Sequence, residues 1–263
     1  MKTRLLSALS SHPWAGKLHW YDTIDSTNTE AKRLAEKGAP HGTICIADHQ
    51  DGGRGRMGRS FHSPRGVGLY LSLLLRPECP AGELMHLTCA TAVAACDAVE
   101  QVTGLRPGIK WTNDLVFGKK KLGGILTELS LGADGKVKYA VIGIGINCAQ
   151  GATDFPEEIA GIATSLSLCT GHAVDRARVA AAVVEALSRM SETLYDPAAF
   201  LGRYRSNCIT LGQEISLVRG EEVRHGKALD IDSQGALLVE FPDGHMETVN
   251  SGEVSVRGMY GYV

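Results

Sequence analysis

Residues Lys110–Asn147, KWTNDLVFGKKKLGGILTELSLGADGKVKYAVIGIGIN, decide how the chain folds. Within and beside this stretch lie four apolar runs: Ile109–Trp111, Leu115–Phe117, Gly124–Ser130 and Val137–Ile146. Only turn-forming residues separate them: Thr112-Asn113-Asp114, Lys119-Lys120-Lys121 and Gly132-Ala-Asp-Gly135. Short apolar runs bounded by Asn, Asp and Gly predict strands joined by tight turns. Parallel neighbours need a long crossover, usually a helix, and there is no room for one here. The stretch therefore predicts a mixed or antiparallel sheet rather than a doubly wound parallel one.

Working outward, Leu18–Thr23 and Thr43–Ala47 read as strands, and Gly68–Leu75, apolar on both faces, as a buried one. Ser26-Thr27-Asn28 stands before a helix over Glu30–Lys37, as N-cap residues do. Apolar residues recur every three to four positions through Glu83–Val102, which predicts a long helix. A helical region covers Asp175–Tyr204 with a break near Asp196-Pro197. After Ser206–Gly212 the pattern changes to short strands: Glu214–Val218, Val223–Asp230, Ala236–Glu240, Glu247–Asn250 and Val254–Arg257. These look like a small β-barrel. The expected fold class is α/β with α+β character: a mixed-sheet domain over residues 1–208 and a small barrel over 209–263.

Composition narrows the function. Hydrophobic residues make up 44% and charged residues 21%, as in ordinary globular proteins. A formal charge of −2 gives no global basic field for nucleic acid, so any cationic site must be local. No apolar run is long enough for a membrane span and no secretory signal opens the chain. The seven cysteines are scattered, odd in number and free of C-x-x-C pairs. Reduced thiols in a cytoplasmic protein are the expectation.

Three constellations can carry chemistry. Gln50-Asp-Gly-Gly-Arg-Gly-Arg-Met-Gly-Arg59 alternates glycine with arginine directly after a strand. Glycines let a backbone approach a ligand, and arginines offer fixed donors to phosphate or carboxylate. The order is not that of a Walker loop. A flexible solvated loop remains the plain alternative. Second, two strands and a turn would gather Lys110, Asn113, Asp114 and Lys121. Lys121 runs into Leu122-Gly123-Gly124, a strand with two missing side chains that suggests close ligand packing. Third, Gly143-Ile-Gly145 ends a strand, but the third glycine of a dinucleotide fold is absent.

In order, these stretches resemble the biotin–protein ligases: Ser26-Thr27-Asn28, Gly53–Arg59 with Ser63-Pro64 behind it, Lys110-Trp-Thr-Asn-Asp114, Lys121–Ile125, Gly143–Asn147 and Ser251-Gly-Glu-Val254. The resemblance spans nearly the whole chain. It implies a catalytic domain similar to class II aminoacyl-tRNA synthetases, an SH3-like C-terminal barrel, and ATP-dependent transfer of biotin to a carrier lysine through biotinyl-5′-AMP. Many bacterial members carry a DNA-binding domain first. Only 25 residues precede Ser26 here, so no repressor role and no nucleic-acid partner are expected. The implied partner is a biotin carboxyl carrier domain, with a homodimer possible. The implied cofactor is Mg²⁺ travelling with ATP, with its protein ligands unknown.

By the same resemblance, Arg56, Lys121, Asp114 and Lys110 are the catalytic candidates. Ser26, Thr27, Asn28, Gln50, Arg54, Gly55, Arg56 and Lys121 would bind biotin, with Gly123, Gly124, Gly143 and Gly145 leaving room for its valeryl chain. Arg54, Arg56, Phe61, Asn113, Lys121 and Asn147 would bind the nucleotide. The chain departs from the family at Thr112, where proline is usual, and at Met57, which has no implied role. Phe61 stands where some members place a tryptophan over the adenine. The nearest alternatives are a lipoate or octanoate ligase and a non-catalytic biotin sensor.

Overall fold

A computed structural model of the protein describes residues 1–250 and the backbone of 255–258; the Ser251-Gly-Glu-Val254 motif lies outside the described residues. The first part of the chain runs α1 (Lys2–Ala8), β1 (Leu18–Tyr21), α2 (Thr27–Glu36), β2 (Thr43–Ala47), β3 (Gly68–Leu75) and α3 (Leu87–Thr103). Four consecutive strands follow: β4 (Gly108–Lys110), β5 (Asp114–Phe117), β6 (Lys120–Leu131) and β7 (Val137–Asn147). Helices α4 (Glu157–Ala160), α5 (Leu166–Thr170), α6 (Arg176–Glu192) and α7 (Ala198–Asn207) complete this part. The strands form one sheet in the order β1-β2-β3-β7-β6-β5-β4. Only β1–β2 is parallel; the other pairs are antiparallel. The sheet is thus mixed, and its strands from β4 to β7 succeed one another without a helix.

Alternation along β7 sets the two faces. Ala140, Ile142, Ile144 and Ile146 point into the main core, under α3 and α6. Tyr139 and Val141 face the other way, into a small cluster with Ala31 and Ala35 of α2. Gly143 and Gly145 continue that second face, as the period of two requires. Helix α2 packs on β2, β3 and β7 but leaves the rest of this face uncovered. A groove therefore opens beside α2, floored by glycines.

Several element boundaries differ from the sequence reading. Helix α2 begins at Thr27, with Ser26 at the N-cap position, rather than at Glu30. Lys120 and Lys121 lie inside β6, so the expected Lys119–Lys121 turn is a Gly118-Lys119 turn instead. A 3₁₀ turn at Ala81–Leu84 precedes α3, which starts at Leu87. Helices α1, α4 and α5 are too short for a 3.6-residue period to declare itself.

The last part builds a second, antiparallel sheet from β8 (Glu214–Arg219), β9 (Glu222–Ile231), β10 (Leu237–Glu240), β11 (Met246–Val249) and β12 (Ser255–Gly258), in the order β11-β10-β9-β8-β12. Its Ile215, Leu217, Leu237 and Val239 belong to the same apolar cluster as the main sheet. Trp111 spans the junction: its indole N–H donates to the Gly235 carbonyl at 3.0 Å, and its backbone N–H to the Thr210 hydroxyl at 2.9 Å. Beside it, the Arg205 guanidinium binds Asp230 at 2.7 Å.

Candidate active site

The groove beside α2 holds a cavity of about 490 Å³. Its first wall is the start of α2. Ser26 sits at the N-cap with extended backbone, yet its side chain makes no capping bond; it lines the cavity instead. Thr27 donates to Gln50 Oε1 from its backbone N–H at 2.8 Å and from its hydroxyl at 3.1 Å. Gln50 in turn donates to the Ser63 hydroxyl at 2.9 Å, and Ser63 to the Phe61 carbonyl at 2.9 Å. The buried Ser72 hydroxyl lies 2.8 Å from Thr27 Oγ1 and 2.6 Å from Asn28 Oδ1. These side chains are locked by one another, which is how a polar pocket keeps its donors aimed.

The second wall is the Arg-Gly segment, folded as a tight hairpin. The Phe61 N–H donates to the Gly53 carbonyl at 2.9 Å, and the Gly55 N–H to the Arg59 carbonyl at 2.7 Å. A Cβ on Gly53 would sit 2.3 Å from the Phe61 carbonyl oxygen, so glycine is required there. Met57 at the tip takes a left-handed conformation at φ 55°, with its side chain exposed at the cavity mouth. Arg54 pairs with Glu128 at 3.1 Å. Arg56 donates to Asn113 Oδ1 at 2.9 Å. Burial lowers the Arg56 pKa below its ordinary value; Asp114 pulls against that effect and Arg59 adds to it.

The third wall is the β5–β6 pair. Lys121 Nζ lies 2.6 Å from Asp114 Oδ1, and Gly124 is just beneath, where a Cβ would touch both at about 3.4–3.5 Å. Asn113 donates to the Ile125 carbonyl at 3.1 Å, and buried Lys110 lines the cavity next to Trp111. The stretch between α4 and α5 grips the backbone of Lys121: its N–H donates to the Ile162 carbonyl at 2.7 Å, and its carbonyl accepts from the Thr164 N–H at 2.8 Å.

Four expected positions lie otherwise than their motifs suggest. Asn147 does not line the cavity. Its amide donates to the Thr164 carbonyl at 2.9 Å and accepts from Gln150 at 3.1 Å, so it braces the stretch that grips Lys121. Gly123 does not line it either: it pairs with Ile146 on the core face, and a Cβ there would strike the Gly145 carbonyl oxygen at 2.4 Å. Gly143 and Gly145 do line it, but the space they leave is filled by protein. A Cβ on Gly143 would lie 2.1 Å from Asn28 Oδ1, and one on Gly145 would lie 2.5 Å from the Phe61 ring. Thr112, buried against Cys89, points away from the cavity.

Among the described residues, the cavity gathers the cations Arg54, Arg56, Arg59, Lys110 and Lys121 against the single carboxylate Asp114. A chain of net charge −2 thus concentrates positive charge in one cleft, whose first wall is neutral and rich in hydrogen-bonding groups. Such a site suits a ligand with a neutral polar head and an anionic tail.

The family model described as "Biotin/lipoate A/B protein ligase family" matches residues 20–147, and that described as "Biotin protein ligase C terminal domain" matches residues 210–257. The Biotin--[acetyl-CoA-carboxylase] ligase of Paracoccus denitrificans is 34% identical over 240 residues, covering 89% of this chain and 98% of that one. This chain belongs to the biotin protein ligase family. The Bifunctional ligase/repressor BirA of Bacillus subtilis is 38% identical over 231 residues, covering 86% of this chain and 70% of that one. Among solved structures, the biotin protein ligase from Aquifex aeolicus in complex with biotin and ATP superposes with a TM-score of 0.77 at 35% identity, covering 92% of this chain and 99% of that one.

Sequence reasoning missed some cleft residues in this family member. Ile162 and Leu126 line the cavity without any motif of their own. Ile162 lies in a segment with no periodicity, and only its pairing with Lys121 brings it there.

Proposed function

We propose that the chain is an ATP-dependent biotin–protein ligase, and the gathering of five cations around a polar, glycine-floored pocket carries this reading. A biotin carboxylate oxygen attacks the α-phosphorus of ATP, giving biotinyl-5′-AMP and pyrophosphate. The ε-amine of a lysine on a biotin carboxyl carrier domain then attacks the acyl carbon, and AMP leaves. The ureido ring fits the wall of Ser26, Thr27 and Gln50. The carboxylate and α-phosphate fit between Lys121 and Arg56.

The first step forces two anions together. At about 4 Å and an effective dielectric near 20 their repulsion is on the order of 4 kcal/mol. Lys121 can offset it by exchanging Asp114 for the reacting oxygens, since its ammonium already stands at the floor of the cavity. Asp114, once released, is placed to take or orient the proton lost by the incoming lysine, whose reference pKa is about 10.4. Asn113 and Arg56, joined by a hydrogen bond, present a second cation to the nucleotide.

Among the described residues no group of three or more His, Cys, Asp or Glu could hold a metal ion. The cavity's one carboxylate is already paired with Lys121. Mg²⁺ would enter with the substrate as MgATP, with phosphate and water as ligands of the usual kind for this ion. Use of ATP and seven unpaired thiols support a cytoplasmic location. No helix of the described residues is long and apolar enough to cross a membrane.

Biotin-dependent exchange of labelled pyrophosphate into ATP tests the first step, and incorporation of labelled biotin into a carrier domain tests the second. Lipoate should support neither. Exchange with lipoate but not biotin, or no acyl transfer at all, would overturn the reading.

A further inference from the structure

Glu128 is the next residue on the cavity-facing side of β6 after Gly124 and Leu126, yet no motif includes it. Three donors converge on its carboxylate. Asn28 Nδ2 approaches at 2.9 Å, Lys32 Nζ at 2.9 Å and an Arg54 guanidinium nitrogen at 3.1 Å. Asn28 and Lys32 both belong to α2, whereas Arg54 is the first arginine of the glycine-rich hairpin. One carboxylate thus ties the two walls of the cavity together. Its side chain is 23% exposed, so these contacts are only partly shared with water.

We propose that Glu128 is a positioning residue that holds the Arg54 guanidinium against the Asn28 side of the cavity and so fixes the glycine-rich hairpin beside the biotin-binding wall, an inference that rests on the ligase reading above. Arginine loses rotamer freedom whenever it is ordered, and a ligand that must order it binds more weakly. Arg54 is 44% exposed, and among the described residues Glu128 alone holds its head: that contact is what orders it before ligand arrives. Asn28 and Lys32 keep the carboxylate itself from swinging away. Lys32 has a second effect. With Lys32, Glu128 and Arg54 together the group keeps one net positive charge, so the tie does not reverse the positive field of the cleft. Ser72 and Thr27 extend the arrangement toward Gln50 through the hydrogen bonds of Asn28.

The variant that separates orientation from packing is Glu128→Gln. It keeps the volume and an acceptor for Asn28, and removes the charge that holds Arg54. Biotin-dependent ATP–pyrophosphate exchange is measured on the wild type, E128Q, R54A and the double variant, varying biotin and ATP separately. The expected result is a rise of about tenfold in KM for biotin with E128Q, as for a lost charge-assisted hydrogen bond, with kcat within about twofold. The double variant should be no worse than R54A alone, because Glu128 acts through Arg54. Effects of E128Q and R54A that multiply, or a fall in kcat with the biotin KM unchanged, would overturn the proposal. So would an E128Q enzyme with wild-type kinetics. A wild-type protein that fails to exchange pyrophosphate with biotin would instead overturn the ligase reading itself.

Discussion

Gly143→Ala tests how the glycine floor works. The new Cβ would lie 2.1 Å from Asn28 Oδ1, 2.8 Å from its Cγ and 3.1 Å from its Nδ2. Ordinary contact needs about 3.4 Å or more, so the Asn28 amide must retreat by roughly 1 Å. It has no slack: the Ser72 hydroxyl is 2.6 Å away on one side and Glu128 is 2.9 Å away on the other. A shift of that size breaks one neutral and one charge-assisted hydrogen bond in a buried site. Together these are worth ~2–4 kcal/mol. For a chain of this size the expected fall in Tm is roughly 5–15 °C. Because Asn28 is linked to Thr27 through Ser72, the biotin KM in pyrophosphate exchange should also rise. Thermal unfolding and exchange kinetics on the same preparation give both readings. A G143A protein with unchanged Tm and unchanged biotin KM would show that Asn28 is not fixed by this contact, and would refute the account of the floor.

Lys121→Ala should lower the rate of adenylate formation by about 10²–10³, as for loss of one donor to a developing charge, while biotin binding measured without ATP falls less. Equal losses in both would place Lys121 in ground-state binding only. Acid stability offers a separate test. Burial alone would raise the Glu128 pKa, but hydrogen bonds from Asn28 and Lys32 and the charges of Lys32 and Arg54 outweigh it and hold it below its ordinary 4.5. Its stabilising contribution is complete above the unfolded value and fades as pH falls through the lower folded one. The Tm advantage of wild type over E128Q should therefore shrink between about pH 5 and pH 3; parallel Tm curves would contradict it. Thiol reactivity should be confined to one site. Burial pushes Cys45, Cys89, Cys96 and Cys148 up to about 12, and Cys79 and Cys208 are buried too, whereas Cys169 is partly exposed. Native-state alkylation followed by peptide mapping should label Cys169 first. Rapid labelling of Cys45 or Cys148 would contradict the packing.

The sequence by itself determined the mixed sheet, because four strands separated only by turns leave no room for crossover helices. It also pointed to a cationic glycine-rich loop after β2 and to the Lys121–Asp114 neighbourhood, since strand and turn residues lie close enough along the chain to meet. Which way each side chain faces, and what it touches, emerges only when distant segments pack together. Glycines 123, 124, 143 and 145 look alike in sequence, yet strand register turns Gly123 to the core and the other three to the cavity. Of those three, Gly143 and Gly145 make room for Asn28 and Phe61, while only Gly124 lies directly under Lys121. Asn147 ends the same strand as a cavity residue in sequence terms, but the stretch between α4 and α5 folds over it and takes its hydrogen bonds. The roles of Glu128 and Ser72 rest on hydrogen bonds to Asn28 that join positions 100 and 44 residues apart. Local pattern carries periodicity and turn chemistry; it does not carry the distances across which charged and polar groups find their partners.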